Sequence, residues 1–353
     1  MIVQTIRALI EGNNLNPQDA RSAMEEIMTG QATNAQIAAF LTALRMKGET
    51  VEELVAFAQV MRDNCTRISP KVGGRLVDTC GTGGDKLKTF NVSTAAAFVA
   101  AGAGVFVAKH GNRAVTSKSG SADVLERLGV NLALEPQGVK AVIEQVGIGF
   151  MFAPAFHPAM KYAVAPRREL GIRTVFNVLG PLTNPASADV QVLGVYSAEL
   201  AEPLALALKG LGCSEAMVVH GVDGLDEIST VGKTTIAQLK DGTVTTRHVS
   251  PQDLGLPQAT LSDLLGATPQ ENAEYLFKIL YGQQLKGDPK TDIVLANSAA
   301  ALVVGGKADD LLGGVEVARE VVESGAAYNK LKALVKGSGG DSAKLEELEQ
   351  RYA

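Results

Sequence analysis

The stretch RLVDTCGTGGDKLKTFNVSTAAAFVAAG, residues 75–102, decides the fold. RLVDTC is a short run of strand type and VSTAAAFVAAG an alanine-rich run of helical length, with Gly81, Gly83 and Gly84 between them. A strand that ends in glycines and feeds a helix opens a βαβ unit. The same arrangement gathers backbone N–H groups around one point, and the helix N-terminus adds partial positive charge. Phosphate is the expected guest, with Thr89 and Thr94 as hydroxyl donors and Asn91, Ser93 and Thr94 where cap residues belong. The spacing matches neither GxGxxG nor GxxxxGK followed by Ser or Thr, which argues against a dinucleotide turn and a P-loop. Taken alone, GTGGD would equally serve as a glycine turn with an ordinary cap.

Downstream, the alternation continues. VFVAK reads as strand, SADVLERLG as helix, VNLAL as strand, QGVKAVIEQV as helix and IGFMFA as strand, the pattern of a parallel sheet. PAMKYAVAPRRELG interrupts as a helix before the proline-rich turn GPLTNP. VQVLGVYS, a helix around EPLALALKGL and EAMVVHG then resume the sheet, and TTIAQLKDGTVTTRHVS reads as a hairpin turning at Asp241 and Gly242. Helices such as DIVLANSAAALVVGG close the chain, and the polar tail beyond GSGGD is expected to fray. Upstream, residues 1–66 carry apolar positions at three- and four-residue spacing in IVQTIRALI, NAQIAAFLTALRM and VEELVAFAQVM, which predicts four short helices. The expected fold is α/β: a small all-helical domain plus a larger α/β domain with a central, mostly parallel sheet flanked by helices.

Bulk properties agree with this division, since 353 residues are long for one core. A net charge of −5 argues against a general nucleic-acid binder. Between Gly81 and Ser121, however, Lys86, Lys88, Lys109, Arg113 and Lys118 stand against Asp85 alone, a local balance of +4 that suits an anionic ligand. Cys65, Cys80 and Cys213 are scattered, so neither a disulfide framework nor a thiolate metal site is expected. The four histidines show no i, i+4 ligand spacing. MIVQTIRALIEGN lacks a basic segment followed by an apolar core, and the run AAAFVAAGAGVFVA is too short to span a bilayer, so a cytoplasmic protein without membrane contact is expected.

Three further segments carry candidate chemistry. KHGNRAVTSKSGSADVLE, residues 109–126, follows the next strand, where parallel sheets hold their ligand loops. Lys109 and Arg113 bring charge, and Ser117, Ser119 and Ser121 bring hydroxyls. Two such loops on adjacent strands suit a ligand with phosphate groups at both ends. VVHGVDGLDE, residues 218–227, ends in Asp226 and Glu227, which beside phosphate loops would take Mg²⁺ and alone would be surface acids. In residues 157–185, Arg167, Arg168 and Arg173 offer a carboxylate clamp, although Arg168 with Glu169 also reads as a solvated helix face. His157 is open between a helix-start residue and a site residue.

GTGGD, KTFNVST, KHGNR, SGSADVLE, HPAMK, RTVFNVLGPLTNP and GLDE occur here in an order that resembles the anthranilate phosphoribosyltransferases, members of the nucleoside phosphorylase and phosphoribosyltransferase fold family. The resemblance implies a small helical domain from residues 1–71 and 158–182, used for dimerisation and the anthranilate side. Residues 72–157 and 183–353 would form the α/β domain that binds 5-phosphoribosyl 1-diphosphate. It implies a homodimer and the transfer of the phosphoribosyl group to the amine of anthranilate with release of pyrophosphate. The phosphoribosyl diphosphate residues would be Gly81, Gly84, Asp85, Thr89, Asn91, Val92, Ser93 and Thr94, then Lys109, His110, Gly111, Asn112, Arg113, Ala114, Val115, Thr116, Ser117 and Ser121. Asn112 and Arg167 would contact anthranilate, with Gly81, His110, His157 and Pro181 lining that end. Ser93, Asp226 and Glu227 match the family's Mg²⁺ positions, with a pair of ions implied per monomer. No general base is implied, because an aromatic amine is already neutral near pH 7.

Rival readings have their own signatures. A pyrimidine nucleoside phosphorylase shares the architecture and a KHG-type loop but has no need of Asp226 and Glu227. A non-catalytic, nucleic-acid-binding relative would show extended basic surface, and a dehydrogenase would need different glycine spacing.

Overall fold

A computed structural model describes residues 1–83, 89–114, 119–283 and 287–352. Four helices come first, as their periodicity predicts: α1 (Ile2–Ile10), α2 (Pro17–Met28), α3 (Asn34–Lys47) and α4 (Val51–Asp63). Asn16 caps α2, and Thr33 and Thr50 open α3 and α4 through capping boxes with Gln36 and Glu53. These side chains occupy N–H groups that have no intrahelical acceptor. Phe40 and Phe57 meet edge to face at 5.8 Å between fully buried rings. Glu53 is buried as well, and Lys47 at 2.9 Å with the amides of Leu15 and Thr50 satisfies its carboxylate.

The alternating section then runs β1 (Leu76–Gly81), α5 (Val92–Gly102), β2 (Phe106–Gly111), α6 (Ser121–Arg127), α7 (Pro136–Val146), β3 (Ile148–Phe152) and the short α8 (Ala153–Phe156). A helical interruption follows in α9 (Lys161–Leu170) and α10 (Phe176–Leu179), the latter passing into a 3₁₀ turn at Gly180–Thr183. The sheet resumes with β4 (Val190–Gly194), α11 (Ala201–Gly210), β5 (Glu215–Gly221) and the hairpin β6 (Thr234–Lys240) and β7 (Thr243–Val249). Positive φ at Asp241 and Gly242 gives that hairpin its two-residue turn. The chain closes with α12 (Pro269–Tyr281), α13 (Pro289–Val304), α14 (Leu311–Glu323), α15 (Ala326–Gly337) and α16 (Ala343–Tyr352).

Among the described residues these strands form a seven-stranded sheet in the order β3-β2-β1-β4-β5-β6-β7. All pairs from β3 to β5 are parallel, and β6 and β7 add antiparallel. Strand order reverses between β1 and β4, where Gly81 pairs with Gly194 at the carboxyl ends. Open α/β sheets bind ligands at such a switch point.

One face of the sheet packs against α5, α13 and α15, with α14 laid over α13. α13 is buried nearly all round, which explains its lack of a polar stripe. The bundle, α11 and parts of α9 and α10 share a second core with Leu193, Val195, Ala216, Val218, Ala237 and Leu239 of the strands and their ends. Arg62 of α4 ties the bundle to this unit, donating from Nε to the Leu182 carbonyl at 2.8 Å and from Nη1 to that of Leu211 at 3.1 Å.

Two expectations are corrected. VNLAL is not a strand, because Asn131 bonds through its amide and side chain to Ser338 and accepts from Ala133, which turns the segment away from the sheet. The tail beyond GSGGD forms α16 instead of fraying. Leu345 and Leu348 are buried, and Arg351 and Tyr352 bond Glu274 at 2.8 Å.

Candidate functional site

A cavity of about 360 Å³ lies at the switch point. Its floor comes from the ends of β1 and β2, one wall from the start of α5, another from α9, α10 and the Gly180–Thr183 turn, and its rim from Asp226 and Glu227.

Gly83 adopts φ +63°, a conformation that glycine takes without strain, and so turns its N–H onto Asp226 Oδ2 at 3.0 Å. The start of α5 supplies Val92, Ser93 and Thr94. Val92 is fully buried in the core and offers only backbone. The Ser93 amide donates to Glu227 Oε1 at 3.3 Å. Thr94 is 1 % exposed and lines the cavity, and its hydroxyl has no partner among the described residues. A buried hydroxyl left without a bond is costly, so it marks a place for a ligand oxygen. Asn91 does not cap the helix by its side chain. Its amide instead exchanges bonds of 3.3 Å with Ser119 and so joins the two ligand loops. Thr89 lines the cavity and is bridged to Leu265.

Lys109 lies at the back of the site, 3 % exposed, and donates to the Thr79 carbonyl at 2.5 Å and to Ser93 Oγ at 3.5 Å. Burial pushes its pKa down and that of the neighbouring Asp78 carboxyl up, while each charge pulls the other back. Gly111, Asn112, Ala114 and Ser121 continue the wall, with Ser121 Oγ donating to the Asn112 carbonyl at 3.4 Å. Arg113 also lines it, but its guanidinium is committed to Glu126 in two bonds, at 2.8 and 2.9 Å, and to Asp123 at 3.1 Å.

At the other end His110 lines the cavity, and His157, which does not line it, packs against that ring with centroids 5.0 Å apart. Burial lowers His110 to about 3, helped by His157, and lowers His157 to about 4. Both rings are therefore neutral at pH 7, and the Nε2 atom of each is buried without a partner among the described residues. Arg167 projects from α9 with its guanidinium carbon 5.2 Å from the Phe176 ring centroid, and Pro181 completes that side. Arg168 is exposed, in line with its solvated reading, and Arg173 stacks over Tyr196 at 4.4 Å.

Asp226 and Glu227 lie on the β5–β6 connection, pressed onto the two glycines at the switch point. A Cβ at Gly194 would sit 1.6 Å from the Asp226 carbonyl oxygen, and one at Gly81 would sit 2.6 Å from its Oδ2. With Ser93 these acids present hard oxygen atoms of the kind Mg²⁺ takes. Among the described residues, no three His, Cys, Asp or Glu side chains converge as a closed metal cluster.

Gly84, Asp85, Val115, Thr116 and Ser117, together with Lys86, Lys88 and Lys118, lie outside the described residues. Cys80, Phe176 and Asn177 line the cavity without having been singled out. The last two stand inside RTVFNVLGPLTNP, so the motif contained them, but no charge marked them.

The fold and this site define a glycosyl transferase: the family model for the a/b domain matches residues 73–328, and the one for the helical bundle domain matches residues 3–65. Within that class the chain belongs to the anthranilate phosphoribosyltransferases. It is 52% identical over 335 residues to the anthranilate phosphoribosyltransferase of Acetivibrio thermocellus, covering 95% of this chain and 96% of the relative. The crystal structure of the Thermus thermophilus enzyme is similar at TM-score 0.89 and 42% identity, over 95% of this chain and 99% of that one. The Saccharomyces cerevisiae enzyme in complex with PRPP and Mg matches at TM-score 0.88 and 32% identity, over 96% and 98%. Among the described residues, no helix is long and apolar enough to cross a membrane.

Proposed function

We propose that this chain transfers the phosphoribosyl group of 5-phosphoribosyl 1-diphosphate to the amine of anthranilate, giving N-(5-phosphoribosyl)anthranilate and pyrophosphate, a step of tryptophan biosynthesis. The observation that carries the reading is one cavity with two chemistries: a helix N-terminus with the unpartnered Thr94 hydroxyl on one side, and Arg167 with the neutral His110 on the other. The first suits a diphosphate and the second a small aromatic acid. A nucleoside phosphorylase, which uses inorganic phosphate, gives no use to the Asp226 and Glu227 pair.

The α5 amides and Thr94 bind the diphosphate, and buried Lys109 adds positive charge behind them. The loop of Lys109, His110, Gly111, Asn112, Arg113, Ala114 and Ser121 takes the remaining phosphoribosyl contacts, with Arg113 acting by holding α6 in place. Ser93, Asp226 and Glu227 would hold Mg²⁺ through hard oxygen atoms. When bound, Mg²⁺ supplies Lewis-acid charge to the departing pyrophosphate. Arg167 and Asn112 orient anthranilate, and Gly81, His110, His157 and Pro181 shape its pocket. Because the two rings stay neutral, no cation there competes with Arg167 for the carboxylate. The aromatic amine already carries a free lone pair, so the site works by positioning. The small helical unit of residues 1–71 and 158–182 carries the anthranilate side and a homodimer contact, for which exposed Ile10 and Met46 (71% and 84%) provide apolar surface.

The test follows anthranilate fluorescence after adding 5-phosphoribosyl 1-diphosphate, with and without Mg²⁺. Decay that needs both additions is expected. No decay from folded protein, with phosphorolysis of uridine or thymidine instead, would overturn the assignment.

A further inference from the structure

The segment that carries Asp226 and Glu227 is irregular, yet both its flanks are fixed. Before the acids, Leu225 closes onto Gly221 at 2.9 Å, and Asp223 accepts from the Leu225 amide at 3.3 Å and from Ser229 Oγ at 2.5 Å. After them comes Ile228, whose two backbone groups both go to one side chain from another element. Asn297 Oδ1 accepts from the Ile228 amide at 2.8 Å, and its Nδ2 donates to the Ile228 carbonyl at 3.0 Å. The second Nδ2 hydrogen goes to the Ile293 carbonyl at 2.8 Å.

Asn297 is 2 % exposed at the middle of buried α13, so its amide acts as a strand neighbour would, pairing donor with acceptor and acceptor with donor. The orientation of that amide is fixed, since reversing it would set N–H against N–H and C=O against C=O. Ile228 is the residue directly after Glu227, which leaves that carboxylate one residue from a rigid anchor.

We infer that Asn297 is a positioning residue for the metal-binding acids, setting the site's affinity for a divalent cation through Ile228 without touching the ion. This rests on the reading of Asp226 and Glu227 as cation ligands. Partners that orient ligands in this indirect way commonly change metal affinity by about 10–100-fold when removed.

The experiment measures Mn²⁺ binding by electron paramagnetic resonance in the presence of inorganic pyrophosphate, together with melting temperature, for the wild-type protein and four variants. Asn297→Leu removes both bonds and is expected to weaken Mn²⁺ by ~10-fold or more. Asn297→Ala likewise removes both bonds but adds no bulk or charge beside the Ile228 and Ile293 carbonyls, so a similar weakening is expected, and it serves if the leucine variant does not fold. Ser298→Ala deletes a buried bond of 2.7 Å within the same helix and should leave Mn²⁺ affinity unchanged. Asp226→Asn tests the underlying reading. If it leaves Mn²⁺ affinity intact, the cation assignment fails and this inference falls with it. If Asp226→Asn weakens Mn²⁺ while a folded Asn297 variant does not, the inference about Asn297 alone is overturned. A Ser298→Ala loss equal to that of Asn297→Leu overturns it too, since general loosening of α13 would then be the cause.

Discussion

The ring of His110 lies 5.0 Å from that of His157, tilted by 48°. His157 is 6% exposed, and its ring resists protonation until about pH 4, whereas an unfolded histidine takes its proton near pH 6.5. The unfolded chain therefore binds more protons below pH 6.5, so this contribution to stability is full above that pH and is lost as pH falls toward about 4. Urea unfolding should show stability declining across that window, and His157→Gln should flatten the decline by up to about 1.4 kcal/mol per pH unit. An unchanged slope in the variant would place the acid sensitivity elsewhere.

Thr94→Val separates stability from binding. The hydroxyl is buried and unpartnered, so a near-isosteric methyl should raise stability by ~1 kcal/mol. The same change should raise KM for 5-phosphoribosyl 1-diphosphate by about tenfold, through loss of a bond to a charged oxygen. A stability gain with an unaltered KM would mean that no ligand atom reaches that hydroxyl.

Arg167→Ala is expected to raise KM for anthranilate by ~10–100-fold and to leave the diphosphate constant nearly untouched. Arg167→Lys should fall between, because it keeps charge without the planar fork. Equal damage to both constants would argue against a carboxylate contact.

Gly194→Ala addresses the seat of the acidic loop. A methyl group 1.6 Å from the Asp226 carbonyl oxygen must push the loop off β4. Stability should drop by about 1–3 kcal/mol, and more Mg²⁺ should be needed for half-maximal rate. Asp226→Asn should raise the Mg²⁺ requirement with a smaller effect on stability, and titrations superimposable on the wild type would refute the metal role of this loop.

Much of the site could be read from the chain because its chemistry is local. Gly83, Ser93 and Thr94 lie within one strand–loop–helix turn, so sequence spacing alone sets them around a point. The ion pairs of Arg113 are not legible in the chain, because Glu126 stands thirteen positions on, a distance that only the folding of α6 back onto the loop closes. Asn91 looked like a cap for the same reason, since its partner Ser119 belongs to the next loop. VNLAL carries strand alternation, yet Ser338, far away in sequence, supplies its bonds. Leu345 and Leu348 are two apolar residues in a polar stretch, too faint a stripe to predict α16 before its partners are seen. Asn297 leaves no trace in sequence at all, because an asparagine inside an apolar helix has no motif until Ile228 is beside it.

The bundle helices and the strands from β4 to β6 share one apolar core, and Arg62 of α4 grips Leu182 at the edge of the cavity. The two family models meet between residues 65 and 73, but the apolar packing of the bundle continues past that point into the strands. Chimeras made by exchanging residues 1–65 between relatives would graft a foreign surface onto the underside of the sheet and a foreign hand onto Leu182. Such grafts should hold best when α9, α10 and α11, which share that core, come from the same relative as the bundle.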